Sequence, residues 1–392
     1  MIRFGIRELR KGVLINFIVV LQTAIILVIT CSILSAARSR YTYFAPIRNF
    51  ISGSGDTCYF SVGVPVVKAD LQNSLHGEAS VHMSYMLYYE GAVQRKYKIL
   101  NYIVYDDELL NSYTPDTAEG SWKKESDSPD TVYGVVYEGS GYQINDTIEV
   151  PTASGDKVIQ ICGIMNKDTL VLGFDFQKAM NNDFRMLYVS QEKMFDHHGS
   201  DLIFLSASEA SKLNYTYAAC GTAFIQYRKP ITAAEKAENE QILSFYRTGY
   251  QIENAKLRKN SLRYIFEQLR TLSPVIIGAF ILLLISLICS AAVFANRQRR
   301  TYAIYEMLGL TRAKCLRITV WKSVMLSLCS FILVGGFLFL KPHFSAFNYF
   351  MIEWSPLHII AAIGVLLINL LISLGITAFS VKSKPYANSR NL

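Results

Sequence analysis

An α-helical membrane domain of four transmembrane helices, carrying a large extracytoplasmic α+β domain, is the fold class predicted by this 392-residue sequence. Three observations predict it. Four apolar stretches, 13–36, 274–295, 318–340 and 357–381, each reach the ~20 residues that a helix needs to cross a bilayer. A polar insert of more than half the chain separates the first stretch from the second, and basic residues gather at the span ends on one side only. The mean hydropathy of +0.22 averages the spans with the insert.

Charge sets the orientation. Arg3, Arg7, Arg10 and Lys11 precede the first span, residues 297–322 carry seven basic side chains, and the tail carries Lys382, Lys384 and Arg390. The opposite short loop has only Lys341 and Glu353. Lysine and arginine accumulate on the cytoplasmic side, so a multi-pass plasma-membrane protein with both termini inside and the insert outside is expected. The insert holds 24 Lys and Arg against 28 Asp and Glu, so the net charge of +8 arises at the cytoplasmic face. That balance is one of topology and gives no reason to expect a nucleic-acid partner.

The expected divisions are a cytoplasmic amphipathic start with the first span (1–36), an extracytoplasmic α+β domain with helical stalks (37–273), the second span (274–295), a cytoplasmic coupling segment (296–317), the third span (318–340), a short outer loop (341–356), the fourth span (357–381) and a cytoplasmic tail (382–392). The first span exceeds the ~7–15 residues of a secretory apolar region, which favours an uncleaved anchor, although Ser35-Ala36-Ala37 would permit cleavage. Of seven cysteines, Cys31, Cys289 and Cys329 fall in spans and Cys315 in the coupling segment. Cys58, Cys162 and Cys220 lie outside and allow at most one intramolecular disulfide; which two would pair, if any, stays open. No Cys/His spacing points to zinc.

Within the insert, Phe44, Ile47 and Ile51 share one helical face and extend the first span as a stalk. Residues 81–89 and 98–105 read as strands, 106–113 as a short helix and 114–120 as a turn. A compact β unit follows, with strands at 131–137, 146–150 and 158–164 around turns at Gly139-Ser-Gly141 and Ser154-Gly-Asp156. Further strands are expected at 185–189, 202–205 and 222–227, then a polar helix at 232–246. Leu262, Ile265, Phe266, Leu269 and Leu272 mark a last helix leading into the second span.

The order of one span, a large α+β domain and three more spans resembles the FtsX/MacB-type permeases of ATP-binding-cassette systems. Arg300-Thr-Tyr-Ala-Ile304-Tyr-Glu-Met-Leu308-Gly309 falls on that family's Arg-(Arg)-Glu-Ile-x-Ile-x-x-x-Leu-Gly pattern between the second and third spans. Glu119-Gly120-Ser121-Trp122, Gly141-Tyr-Gln-Ile-Asn145-Asp146-Thr-Ile148 and Ile161-Cys-Gly163-Ile164 are similar to the periplasmic core module of MacB-like members, and residues 2–11 to their amphipathic start. Thr301 stands where the family has an acidic residue, and Glu306 where it often has a basic one, so the docking surface is expected to suit a particular ATPase.

Ile304, Met307 and Leu308, at helical spacing and ended by Gly309 as a C-terminal cap, suit a groove on a partner. The other physical reading is a helix lying on the inner leaflet, held by Arg297, Arg299 and Arg300. The resemblance favours docking and implies an ATPase-coupling site of Arg300, Thr301, Ile304, Met307, Leu308 and Gly309. No phosphate-cradling GxxxxGK[ST] loop occurs; Gly53-Ser-Gly55 lacks its lysine and spacing. No cofactor is therefore expected on this chain, with ATP bound by a separate cytoplasmic ABC-type ATPase, and the chain is expected to be a non-catalytic subunit rather than an enzyme. Four spans are few for a translocation unit, so a homodimer or a heterodimer with a related permease is expected, in contact with the bilayer and with a possible extracytoplasmic protein partner.

Other constellations read as structural. His197-His198 beside Asp196 is a solvated loop, and Asp106-Asp107-Glu108 an acidic helix start rather than a calcium site. The outer tyrosines read as strand packing, and Lys322 as a side chain snorkelling to the cytoplasmic face. The spans carry no run of carboxylates or histidines, against ion-driven transport. Two functions remain: an export or extraction system acting on an amphiphilic peptide, lipid or lipoprotein, or an FtsX-like regulator of an outer partner such as a wall hydrolase. A membrane-anchored binding or sensory protein is a remoter third.

Overall fold

The computed structural model describes residues 13–61, 66–93, 96–122, 128–152, 155–166, 169–190, 200–214, 220–246, 248–307, 309–340 and 356–381. The amphipathic start, His197 and His198, Leu308, most of the short outer loop and the tail lie outside them, as do the side chains of Arg300 and Glu306. The chain forms two compact units, Tyr41–Phe266 and the combined segments Met1–Arg40 and Glu267–Leu392.

The first unit is α+β. Its strands are β1 (Gly55–Phe60), β2 (Ala79–Val93), β3 (Lys96–Tyr105), β4 (Thr117–Gly120), β5 (Thr131–Tyr137), β6 (Thr147–Thr152), β7 (Gly155–Met165), β8 (Leu170–Leu172), β9 (Tyr188–Ser190), β10 (Ser200–Ser206), β11 (Cys220–Tyr227) and β12 (Thr248–Glu253). Ten of them form one sheet in the order β12-β1-β11-β2-β3-β10-β5-β7-β4, with β6 also on β7, while β8 and β9 pair separately. Pairing is antiparallel except at β3/β10 and β5/β7. β6 alternates exposed and buried residues along its length because one face meets the core and the other water.

Two apolar cores fill the sheet's ends. One gathers Leu100, Tyr102 and Val104 of β3, Val132 and Val136 of β5, Ile159 and Ile161 of β7, and Ile203 and Leu205 of β10. The other gathers Cys58 and Phe60 of β1, Val81 and Met83 of β2, and Ala223 and Ile225 of β11, covered by Leu71 of helix α2 (Lys68–Ser74) and Leu243 of helix α6 (Ala233–Phe245). Tyr85 of β2 packs against both. Thr232 and Glu235 close the start of α6 as a reciprocal capping box. Phe44 and Ile47 are buried on helix α1 (Val13–Arg48), as the stalk periodicity predicts, while Ile51 is also buried but lies in the turn after the helix ends. No disulfide joins any two of Cys58, Cys162 and Cys220.

Residues 185–189 depart from the strand expected there. Phe184–Leu187 is a 3₁₀ turn, and only Tyr188–Ser190 is strand. Asp183 causes the difference: its carboxylate accepts from the Arg185 N–H at 3.0 Å and also holds the Arg185 guanidinium, which ties the backbone into a turn.

The second unit is helical. Helix α1 (Val13–Arg48), helix α8 (Arg312–Leu340) and helix α9 (Pro356–Val381) contain the three candidate spans among the described residues, Val13–Arg48, Arg317–Phe337 and Pro356–Ile376. The apolar stretch 274–295 lies inside helix α7 (Asn254–Met307) and is helical throughout; α7 is not among those three. Ala24, Ile26 and Leu27 of α1, Val334 of α8, and Ala362 and Val365 of α9 form the bundle core, and Phe280 of α7 packs against it. The expected short cytoplasmic helix is the end of α7, which continues through Pro274 to Met307.

Candidate functional site

The predicted coupling residues sit where α7 ends and α8 begins. Gly309 has φ of +87°, a conformation that glycine adopts without the steric cost other residues meet. The Leu310 N–H donates to the Tyr305 carbonyl at 2.9 Å, a six-to-one closure that satisfies one of the carbonyls left over at a helix end. Two residues later α8 starts, and the Lys314 N–H donates to the Thr311 carbonyl at 2.9 Å. The chain thus closes one helix and begins another within a few residues.

Ile304 and Met307 project from the last turn of α7 at 45% and 73% exposure, three residues apart and so on one helical face. Thr301 is half-buried and Gly309 exposed. The structure brings Ile304, Met307 and Gly309 to one helix end, while Leu308 and the side chain of Arg300 fall outside the described residues. Among the described side chains, Ile304 and Met307 present exposed apolar surface beside exposed Thr311 and Lys314, an arrangement suited to contact with a partner surface.

Hydrogen bonds between helices tie α8 and α9 to α1. Asn369 Nδ2 donates to Thr23 Oγ1 at 3.2 Å and to Ser327 Oγ at 3.4 Å, so one amide joins α9, α1 and α8. The Ser330 hydroxyl donates to the Val20 carbonyl at 3.1 Å. Ser35 Oγ and the Cys31 carbonyl both meet His358 Nε2, at 2.8 and 3.2 Å. In an apolar bundle such bonds contribute about 0.6 kcal/mol each. Sequence reading missed this set because isolated Asn, Thr and Ser residues inside apolar runs look alike whichever way they face. Lys322 is 2% exposed, packed within the helices instead of reaching out as the snorkelling expectation had it.

Several buried ionisable groups of the α+β unit have structural partners. Burial opposes ionisation of Asp106, yet His82 and Lys68 beside it outweigh that and hold its carboxyl below the usual range. Glu209, fully buried, accepts from the Tyr133 N–H at 2.6 Å and pairs with Lys212 at 2.7 Å. Burial pushes the Asp56 carboxyl up, and the Tyr227 hydroxyl donates to it at 2.9 Å. Most buried tyrosines are core, as the sequence suggests: the Tyr188 hydroxyl donates to the Tyr43 carbonyl, that of Tyr113 to Leu170, and Tyr105 accepts from the Leu172 N–H. Among the described residues no group of three or more His, Cys, Asp or Glu side chains is arranged to hold a metal.

No protein-family model matches the chain, and no curated protein sequence does. Solved structures show likeness. The periplasmic region of MacB from Actinobacillus actinomycetemcomitans is 13% identical at a TM-score of 0.28, covering 54% of this chain and 94% of that one. The extracellular domain of the noncanonic ABC-type transporter YknZ from Gram-positive bacteria is 8% identical at 0.25, covering 50% and 96%. A domain of a protein described as a permease from Porphyromonas gingivalis is 12% identical at 0.23, covering 51% and 86%.

Proposed function

We propose that the chain is the permease subunit of an ABC-type export or extraction system. A separate cytoplasmic ATPase docks on the end of α7, and its nucleotide-driven motion is transmitted to the α+β domain, which acts outside on an amphiphilic substrate. The carrying observation is the exposed apolar pair Ile304 and Met307 on a helix end fixed by the Gly309 closure, in a segment that fits the permease pattern. An exposed apolar pair is at home in a partner's groove. The packing of Phe280 with the other three helices supports a fourth span at 274–295, and the distribution of basic residues supports cytoplasmic termini with the α+β domain outside.

Residues 297, 299, 300, 312, 314 and 317 would then ring the docking turn with positive charge on the cytoplasmic side. Because four spans are few, two permease chains per assembly are proposed, identical or related. The size of the outer domain favours transport over regulation of an outer partner. Affinity purification of the full chain from its native membrane in mild detergent tests the reading. A co-purifying chain with a Walker nucleotide loop is expected; its consistent absence, with the permease intact and in its membrane, would contradict it.

A further inference from the structure

We infer that the α+β unit carries a binding shelf for an anionic lipid-like amphiphile, built from Tyr59, Phe174, Phe176, Met180 and Tyr250 and bordered by Lys256 and Lys259. This rests on the permease reading above and narrows its substrate class. Most aromatic rings of the unit are core, but these are not. Tyr59 stacks on Phe174 with centroids 4.8 Å apart, Phe176 stands edge-on to both at 5.1 and 4.8 Å, and Tyr250 lies 4.9 Å from Phe174. Phe176 is 57% exposed and Met180, four residues on, 89%. Contiguous apolar surface of this kind on a water-facing domain marks a contact site.

The shelf is held in place. Asp175 caps the short helix α4 (Phe176–Ala179), accepting from the Gln177 N–H at 3.0 Å and pairing with Lys178 at 3.1 Å, and its own N–H donates to Met186. Tyr59 and Tyr250 sit on β1 and β12, the outermost pair of strands at that end of the sheet. A site formed in advance loses little entropy on binding.

Charge selects the occupant. The Tyr250 hydroxyl bonds Asn182, whose carbonyl accepts from Asn260 Nδ2 at 3.1 Å, so the rim of the shelf meets the first turns of α7. Leu257 and Ser261 are buried; Lys256 and Lys259 flank Asn260 on the exposed side by helical spacing. The acids nearby have cations of their own: Glu253 pairs with Lys236 and is also within the field of Lys256, Asp183 pairs with Arg185 and Asp175 with Lys178, so Lys259 is, among the described residues, the rim cation with no acid paired to it. An apolar shelf with a positive rim fits an acyl chain joined to a phosphate headgroup, and a cationic amphiphile would be repelled there.

The test uses the full chain in nanodiscs of zwitterionic lipid, without ATPase or nucleotide, titrated with monomeric dihexanoyl phosphatidylglycerol. Binding is expected, about tenfold tighter than for dihexanoyl phosphatidylcholine and not displaced by glycerol phosphate. Phe176→Ser with Met180→Ser should weaken it about tenfold, with a small drop in unfolding temperature from the lost ring contacts but a cooperative melt, and Lys256→Gln with Lys259→Gln should remove the preference over phosphatidylcholine with the unfolding temperature unchanged because both lysines are exposed. Equal affinity for both lipids, displacement by glycerol phosphate, indifference to the Phe176/Met180 pair, or tighter binding of an acidic amphipathic peptide would each overturn the assignment. ATPase association is read in a separate experiment, so either reading can fail while the other stands.

Discussion

The Ser273 hydroxyl donates to the Arg270 carbonyl at 3.1 Å, and that is the carbonyl which Pro274, having no N–H, leaves without its helical donor. The side chain one residue before the proline thus restores the lost bond, and α7 runs on through Pro274. Ser273→Ala should destabilise the full chain by about 1 kcal/mol in detergent melts. In a Pro274→Ala background, where the amide returns, the same change should cost far less. Equal costs in both backgrounds would show that the hydroxyl has another role.

Such compensation explains what could and could not be read from the sequence. Strands β5, β6 and β7 were legible because their β-branched residues face one core between glycine turns. The end of α7 was legible because a glycine follows an apolar helical pair. The length of α7 was not, since a proline reads as a boundary unless its neighbour's hydroxyl is placed in three dimensions. Nor were β1 and β12, whose pairing with each other joins residues nearly two hundred positions apart and leaves no local pattern. The shelf around Phe176 was hidden for a related reason: its rings come from β1, the segment before α4, and β12, and each alone looks like ordinary strand packing.

Gly309→Ala should weaken the turn through backbone strain alone, because a Cβ there meets nothing within 4 Å. A cost of about 1 kcal/mol is expected, with Gly309→Asn milder since asparagine tolerates a positive φ. Amide exchange at Leu310, whose N–H closes the turn, should accelerate in the alanine variant. Unchanged exchange would mean that the closure does not depend on the glycine.

Asp106 makes part of the α+β unit's stability pH-dependent. Its folded carboxyl is held below the ordinary value, so its contribution is complete above that value, about 4, and is lost as pH falls through the lowered one. Asp106→Asn should cost about 1–2 kcal/mol near neutral pH, less than a fully buried pair because Lys68 is partly exposed, and should flatten the acid limb of the stability curve. A parallel acid limb in the variant would assign the titration elsewhere.

The topology is open to direct labelling. With the native cysteines removed, a cysteine at Ser128 should react with an impermeant reagent applied to intact cells, and one at Ser383 should react only after lysis. Reaction of both from outside would exclude cytoplasmic placement of the tail.

The most direct measurement is whether the proposed ATPase is retained by variants at the end of α7. Met307→Arg and Leu308→Arg each place a charge where an apolar groove is proposed, a change that should cost a few kcal/mol of association. Met307 is largely exposed, so its variant should insert and melt as the parent does. Loss of the co-purifying ATPase from both variants, with Lys314→Ala retaining it, is the result expected of a docking helix. Full retention by both arginine variants would contradict docking and leave the end of α7 as a helix lying on the inner leaflet.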